Sequence, residues 1–321
     1  MFVYTFWEPR EKIPYYIQLC MQTWKKFLPN AEIVVLDYKN IGNYIDMREL
    51  GLELFSGRFN LAHVSDAIRV ALLAKRGGIW LDADTIILNS DAEKYFLPDE
   101  QNRTVFFGYP DSRKVHMAFI NTPSAAKCMN VWFEFMKERL RNLKPSTEIN
   151  PFFLGNSFIN PFAKFYLDEI NVLDAKLVMP ELKIIPQDEP LTLANCERHY
   201  PIYYFEQNRH LRDVADYDML MLHNSWAGMF GNLSPEEVLR CDCTMTNVLA
   251  EALDIKLPSP SERVRIKIEN QKWTFVPAEP PKKRFRLVSL EDRIQPKIEV
   301  PTLRPPVKTP SKAEKMFIYT F

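Results

Sequence analysis

The apolar positions between Asn60 and Leu88 change period once, from helical to extended. Val64, Ala67, Ile68, Ala71, Leu72 and Ala74 recur at three- and four-residue steps, which makes one face of a helix. Asn60 stands where a cap belongs, and Gly77-Gly78 supplies the positive φ that ends a helix. Ile79-Trp80-Leu81 is then a short apolar strand. Asp82 and Asp84 follow at a two-residue step, so an extended chain projects both carboxylates from one face. Upstream, Phe2 to Trp7 (FVYTFW) is aromatic, β-branched and apolar throughout, as a central parallel strand is. Pro14 suits the first turn of a helix that buries Ile17, Cys20, Met21, Trp24, Phe27 and Leu28. Ile33 to Leu36 is a second strand, with Asp37 at its end. Strand, helix, strand calls for a right-handed crossover and a parallel sheet, whose ligands bind beyond the C-terminal strand ends. Tyr4, Phe6, Trp7 and Asp37 are therefore expected at the same rim as Asp82 and Asp84.

The pattern is looser further on. Ile41 to Phe55 reads as an irregular helical stretch broken by glycines. Val105 to Tyr109 and Val115 to Asn121 read as strands. Ser124 is placed to cap a long helix to about Leu143, with Cys128, Trp132, Phe135, Met136 and Leu140 inside. Glu148 to Phe165 is rich in Asn, Pro and Phe. Val178, Ile184-Ile185, Tyr203 to Phe205 and Met219 to Leu222 read as short β-segments. The last delivers His223, Asn224, Ser225 and Trp226 to a rim. Ser234-Pro-Glu-Glu237 is a capping box that opens a helix to about Leu253.

At 321 residues, 46% apolar and 26% charged, the composition is globular, and the net charge of zero gives no overall pull toward nucleic acid. No apolar run approaches the roughly 18–20 residues of a membrane span. Glu8, Arg10, Glu11 and Lys12 arrive too early for a signal peptide. Five scattered cysteines suggest free thiols and a cytoplasmic setting. Cys241-x-Cys243 with Cys196 and His199 lacks the second matching pair of a zinc site. The charge is uneven: Lys256 to Lys315 carries 15 Lys and Arg against 7 Asp and Glu, with 10 of the 24 prolines and no glycine. This sets a boundary near Ile255 between an acidic body, 1–255, and a basic Pro-rich linker, 256–315, with a possible hairpin at Arg263–Val276. The linker's surplus is either solvated or set against anionic lipid heads, a peripheral membrane contact. The final MFIYTF, Met316 to Phe321, repeats the opening MFVYTF with one conservative change, which implies that a second copy of the domain begins there.

Two carboxylates as close as Asp82 and Asp84 are tolerated if a cation sits between them. Oxygen ligation suits Mn²⁺ or Mg²⁺, which keep positions open for diphosphate oxygens. Asp66 and Arg69 share a helix face one turn apart and can meet sugar hydroxyls and phosphate. Each motif alone has a bland reading, a strand-end turn and a surface ion pair. A helix, a double glycine, a strand and two acids in sequence favour the site.

The segment SDAIRVALLAKRGGIWLDAD resembles the core of the DXD glycosyltransferases of the capsular polysaccharide synthesis type, a family 32-like group. It is similar to the yeast-type mannosyl- and galactosyltransferases and, more distantly, to the clostridial glucosylating toxins. The spacing of Asp66, Arg69, Asp82 and Asp84 is shared, and the likeness extends upstream through Ile13-Pro14, CMQTWKKFLP and IVVLDYKNIGNYID. The resemblance implies a GT-A-like, Rossmann-like α/β fold: a mixed, mainly parallel sheet flanked by helices, with the Pro-rich basic extension behind it. It implies transfer, with retention, of a sugar from a nucleotide-diphosphate donor (UDP-sugar favoured, GDP the competitor) to an oligosaccharide or lipid-linked saccharide. Asp66, Arg69, Asp82 and Asp84 would be catalytic. Tyr4, Phe6 and Trp7 would hold the nucleoside, although Tyr4 and Phe6 read equally well as core. Ser225 and Trp226 would cover the diphosphate, and His223 would join Asp82 and Asp84 on the metal. The loop at 148–165 would meet the acceptor or be a plain connector, and Asn121 would reach a sugar. The rival readings are a non-catalytic saccharide-binding or scaffold module and a glycosylating effector acting on protein.

Overall fold

The computed structural model describes residues 1–278 apart from Ser56, Pro151, Gln187, Leu191, Asn270 and Gln271. The Pro-rich spacer expected beyond 278 and the repeated hexapeptide lie outside the described residues. Strand β1 (Phe2–Phe6) is followed by α1 (Tyr15–Phe27) and β2 (Glu32–Leu36), and three short 3₁₀ turns between Ile41 and Phe55 replace the expected irregular helix. Then come α2 (Leu61–Arg76), β3 (Gly78–Leu81), β4 (Thr85–Ile87), α3 (Glu93–Phe96), β5 (Thr104–Tyr109) and β6 (Lys114–Thr122). The second half holds α4 (Lys127–Arg141), α5 (Asn156–Phe165), β7 (Ile170–Asp174), α6 (Glu181–Ile184), α7 (Leu193–Pro201), β8 (Met219–Met221), α8 (Pro235–Arg240) and α9 (Thr244–Ala252). An antiparallel hairpin, β9 (Val264–Glu269) and β10 (Lys272–Pro277), closes the described chain.

The main sheet runs β2-β1-β3-β6-β5-β7, and β4 pairs β8 in a separate ribbon. Strands β1, β2 and β3 are parallel, β6 is antiparallel to both its neighbours, and β5 pairs β7 in parallel. The sheet is thus mixed and mainly parallel, as expected. Both faces are buried, because side chains alternate along each strand. Val3, Ile79 and Leu81 enter the core on the α1 and β8 side, while Tyr4 and Trp80 enter the core under α2 and α4. Asn60 caps α2 by accepting from the His63 N–H at 3.0 Å. Gly77, at φ 64°, is required twice: a Cβ there would also lie 2.4 Å from the Ser124 nitrogen.

Several local expectations differ. Helix α4 starts at Lys127 without a side-chain cap, because Ala125 at φ 60° turns the chain after Ser124. Phe135 lies just off the Trp132–Met136 stripe and is 45% exposed, against Phe158 and Phe162 of α5. The capping box at Ser234 forms, but the helix it opens breaks at Cys241–Cys243 into α8 and α9. Tyr203 to Phe205 lies in a π-helical turn instead of a strand, its rings packed into the core. The hairpin packs on the body: Ile266 is buried, Val264 bridges Cys241, and Trp273 stacks at 5.2 Å on Phe205.

Candidate active site

A cavity of about 480 Å³ opens where the strand order reverses between β1 and β3. In open α/β sheets that switch point is where ligands bind. Five segments line the cavity: Phe6-Trp7-Glu8 after β1, the first turns of α2, Asp82 to Asp84 after β3, His116 to Ala118 of β6, and Leu222 to Ser225 after β8. Asn156 at the start of α5 completes it.

Arg69 is the hub of one wall. Its side chain is 6% exposed, so its charge must be met inside the protein. One terminal nitrogen donates to the Met117 carbonyl at 2.5 Å, and the other donates to Asp82 Oδ1 at 3.0 Å and lies 3.6 Å from Asp66. Its guanidinium sits 4.9 Å from the Trp80 ring centre, and Trp80 Nε1 donates to the same Asp82 oxygen at 2.7 Å. Asp66 presses its other oxygen toward Gly155, where a Cβ would come within 2.8 Å of it and 2.7 Å of Met117 Sδ. Burial pushes the Asp66 carboxyl up to about 7, with Arg69 pulling it down and Asp82 pushing it further up. Asp84 is also pushed up to about 7, by burial first and the Asp82 charge second, against the Asn224 backbone N–H that donates to its Oδ2 at 2.7 Å.

The opposite wall carries rings without charge. His116 and His223 meet edge to face at 5.4 Å. Burial holds His116 down at about 4, and burial plus His116 holds His223 well below the usual imidazole range. Trp226 packs on His223 at 4.1 Å, Tyr200 meets both edge to face, and the His223 backbone N–H donates to the Tyr200 hydroxyl at 3.1 Å.

Of the residues singled out in the sequence, Phe6, Trp7, Asp66, Arg69, Asp82, Asp84, His223 and Ser225 line the cavity. Tyr4 does not: it is mid-strand in the core, on Phe2 and Tyr44. Trp226 lies behind His223. The Asp37 carboxylate serves the backbone of its own turn, at Lys39 and Asn40. Asn121 is at the far end of the sheet, because β6 is antiparallel, and donates to the Tyr95 and Leu97 carbonyls. The same reversal brings His116 to the cavity. Among the described residues no three His, Cys, Asp or Glu side chains gather closely enough to hold a metal ion, so His223 is not clustered with Asp82 and Asp84. Cys241, Cys243 and Cys196 are buried free thiols. No described helix is long and apolar enough to cross a membrane.

Residues 2–121 match the model of the capsular polysaccharide synthesis protein family, the family that the Asp66–Asp84 segment resembles. No functionally curated protein matches the sequence. Similar solved structures include a glycosyltransferase involved in glycosylation of the major capsid of PBCV-1. It is 12% identical, covers 72% of this chain and 97% of its own, and gives a TM-score of 0.38. The galactosyltransferase LgtC with donor and acceptor sugar analogs is 10% identical over 82% and 98%, with a TM-score of 0.39. The glycosyltransferase GlyE of Streptococcus pneumoniae TIGR4 is 12% identical over 80% and 65%, with a TM-score of 0.39.

Proposed function

We propose that this chain is a glycosyltransferase of capsular or other surface polysaccharide synthesis. It moves a sugar from a nucleotide-diphosphate donor, UDP-sugar favoured, to a saccharide hydroxyl with retention of configuration. The observation that carries the reading is the gathering of Phe6, Trp7, Asp66, Arg69, Asp82 and Asp84 around one cavity at the β1–β3 switch point.

Phe6 and Trp7 offer apolar faces for a base. Asp66 faces the cavity for sugar hydroxyls. Both terminal nitrogens of Arg69 are engaged with Met117, Asp66 and Asp82, so its charge holds the two carboxylates in place. Asp82 and Asp84 would hold Mn²⁺ or Mg²⁺. Their donors are all oxygen, and Asp84, buried beside a second carboxylate, is a group that a hard cation suits. His223, whose Nε2 is buried without a protein partner, would join them only after a shift of the turn that follows β8. When bound, such an ion supplies positive charge to a leaving diphosphate. In the transfer the acceptor oxygen bonds to the anomeric carbon and the bond from that carbon to the diphosphate oxygen breaks. The hydroxyl proton leaves with the diphosphate on the same face, since no side chain of the cavity is assigned as a covalent nucleophile. Ser225, which lines the cavity, would lie beside the diphosphate. The basic stretch from Lys256 would be solvated or, as the second reading, set against anionic lipid, and a second copy of the domain would begin at Met316.

The test is thermal stability with UDP, GDP, CMP and their sugars, each with Mn²⁺, Mg²⁺ or EDTA. A ligand at 100 times its Kd adds about 2.7 kcal/mol. Stabilisation by UDP that EDTA removes is expected. No response to any nucleotide would favour the saccharide-binding module.

A further inference from the structure

One face of α1 packs against the chain on either side of the Asp84 carboxylate's contact with Asn224. Tyr16, Cys20 and Trp24 stand at four-residue steps along that helix, and all three are buried. Trp24 Nε1 donates to the Thr85 carbonyl at 2.6 Å, which fixes the backbone just after Asp84. The Tyr16 hydroxyl donates to the Asn224 side-chain oxygen. Asn224 in turn donates its backbone N–H to Asp84 Oδ2 at 2.7 Å. The Tyr16 ring is held edge to face on Phe230 at 5.6 Å, so the hydroxyl has a fixed direction.

We infer that Tyr16 is a positioning residue for the site: through Asn224 it seats the turn after β8 against Asp84 and fixes where that carboxylate points. The hydroxyl is the one polar atom of a side chain that is 1% exposed, and burial keeps it protonated and able to donate. A donor in a dry interior is costly to leave unmet, so the hydroxyl and the Asn224 side chain select each other. The relay spans 208 residues of sequence and joins an element of the first strand–helix–strand unit to the last wall of the cavity. Its consequence for binding rests on the donor reading above. Its consequence for the turn does not.

Tyr16→Phe keeps the ring and removes the hydroxyl. In the ligand-free chain, amide hydrogen exchange across 222–230 is expected to rise about tenfold, with exchange in β1 and β3 unchanged. Unchanged exchange at 222–230 overturns the inference, and so does a rise spread through the sheet. In the presence of Mn²⁺, the affinity for UDP read from thermal shifts is expected to fall about tenfold. Tyr16→Phe combined with Asn224→Ala is expected to bind no more weakly than Asn224→Ala alone, and additive losses overturn the relay. If the unaltered chain gives no response to UDP and Mn²⁺, the donor reading fails and the exchange result alone decides the relay.

Discussion

The two walls of the cavity solve burial in opposite ways. On one, Asp82 and Arg69 keep charge inside by pairing it beside Asp66, with Trp80 donating to Asp82 and the Met117 carbonyl accepting from Arg69. On the other, His116, His223, Tyr200 and Trp226 stay neutral and pack ring against ring. A charged wall is as good as its weakest partner, because a lone buried charge costs far more than a pair. A neutral wall is as good as its packing. The difference sets what each wall can do: the first can bind phosphate, sugar or cation, and the second can exclude water and hold a shape.

The sharpest way to break the comparison is Arg69→Leu, which strands Asp66 and Asp82 together. Loss of one partner of a buried pair costs about 3–5 kcal/mol, so the denaturant midpoint should fall steeply. Arg69→Lys should recover little, since an ammonium lacks the fork that reaches Met117 and Asp82 at once. An unchanged midpoint in Arg69→Leu would show that charge pairing does not hold this wall.

The walls also titrate with opposite sign. Asp66 and Asp84 sit at about 7 in the folded chain, against about 4 when unfolded. The folded chain therefore keeps protons that the unfolded chain has released, and this contribution to stability is lost as pH rises from about 4 through 7. His116 sits at about 4, against about 6.5 unfolded. The unfolded chain then binds the extra proton, so this contribution grows as pH rises across the same window. In ligand-free protein Asp84→Asn should make stability climb more steeply between pH 4 and 6.5, and His116→Gln should make it decline, each by on the order of 2 kcal/mol. Urea midpoints at four pH values would decide, and parallel curves for both variants would remove the distinction.

Smaller effects probe the neutral wall's support. Trp273 of β10 lies over Gly228, where a Cβ would come within 2.5 Å of the indole. Trp273→Ala should cost about 1.5 kcal/mol, less than a fully buried aromatic, and should weaken the response to UDP with Mn²⁺. A full response would detach the hairpin from the site. The smallest change is Tyr4→Phe, within about 0.5 kcal/mol and without effect on nucleotide binding, because the ring lies in the core.

The charged wall was the legible one. Its residues fall within one helix–strand unit, and the periods of that unit place Asp66, Arg69, Asp82 and Asp84 without any knowledge of distant contacts. The neutral wall depends on strand direction and on pairing across the chain. His116 reaches the cavity and Asn121 leaves it for one reason, the antiparallel run of β6. A signal for that was present: the four-residue link Pro110–Arg113 between β5 and β6 is too short for a parallel crossover, which needs about a dozen residues. Gly155 and Tyr16 carried no local signal, since the partners that give them meaning, Asp66 and Asn224, are remote in sequence.

The hairpin has a consequence in time. A chain is made from its N-terminus, so Asp82 and Asp84 leave the ribosome about 190 residues ahead of β10. At roughly 5–20 residues per second that is on the order of 10–40 s. Through that interval the first sheet strands can pair while the turn that meets Asp84 has no Trp273 behind Gly228. A nascent chain therefore carries its acids before it carries the seat that orders their neighbour. Synthesis of β10 is the event that puts Trp273 behind that turn.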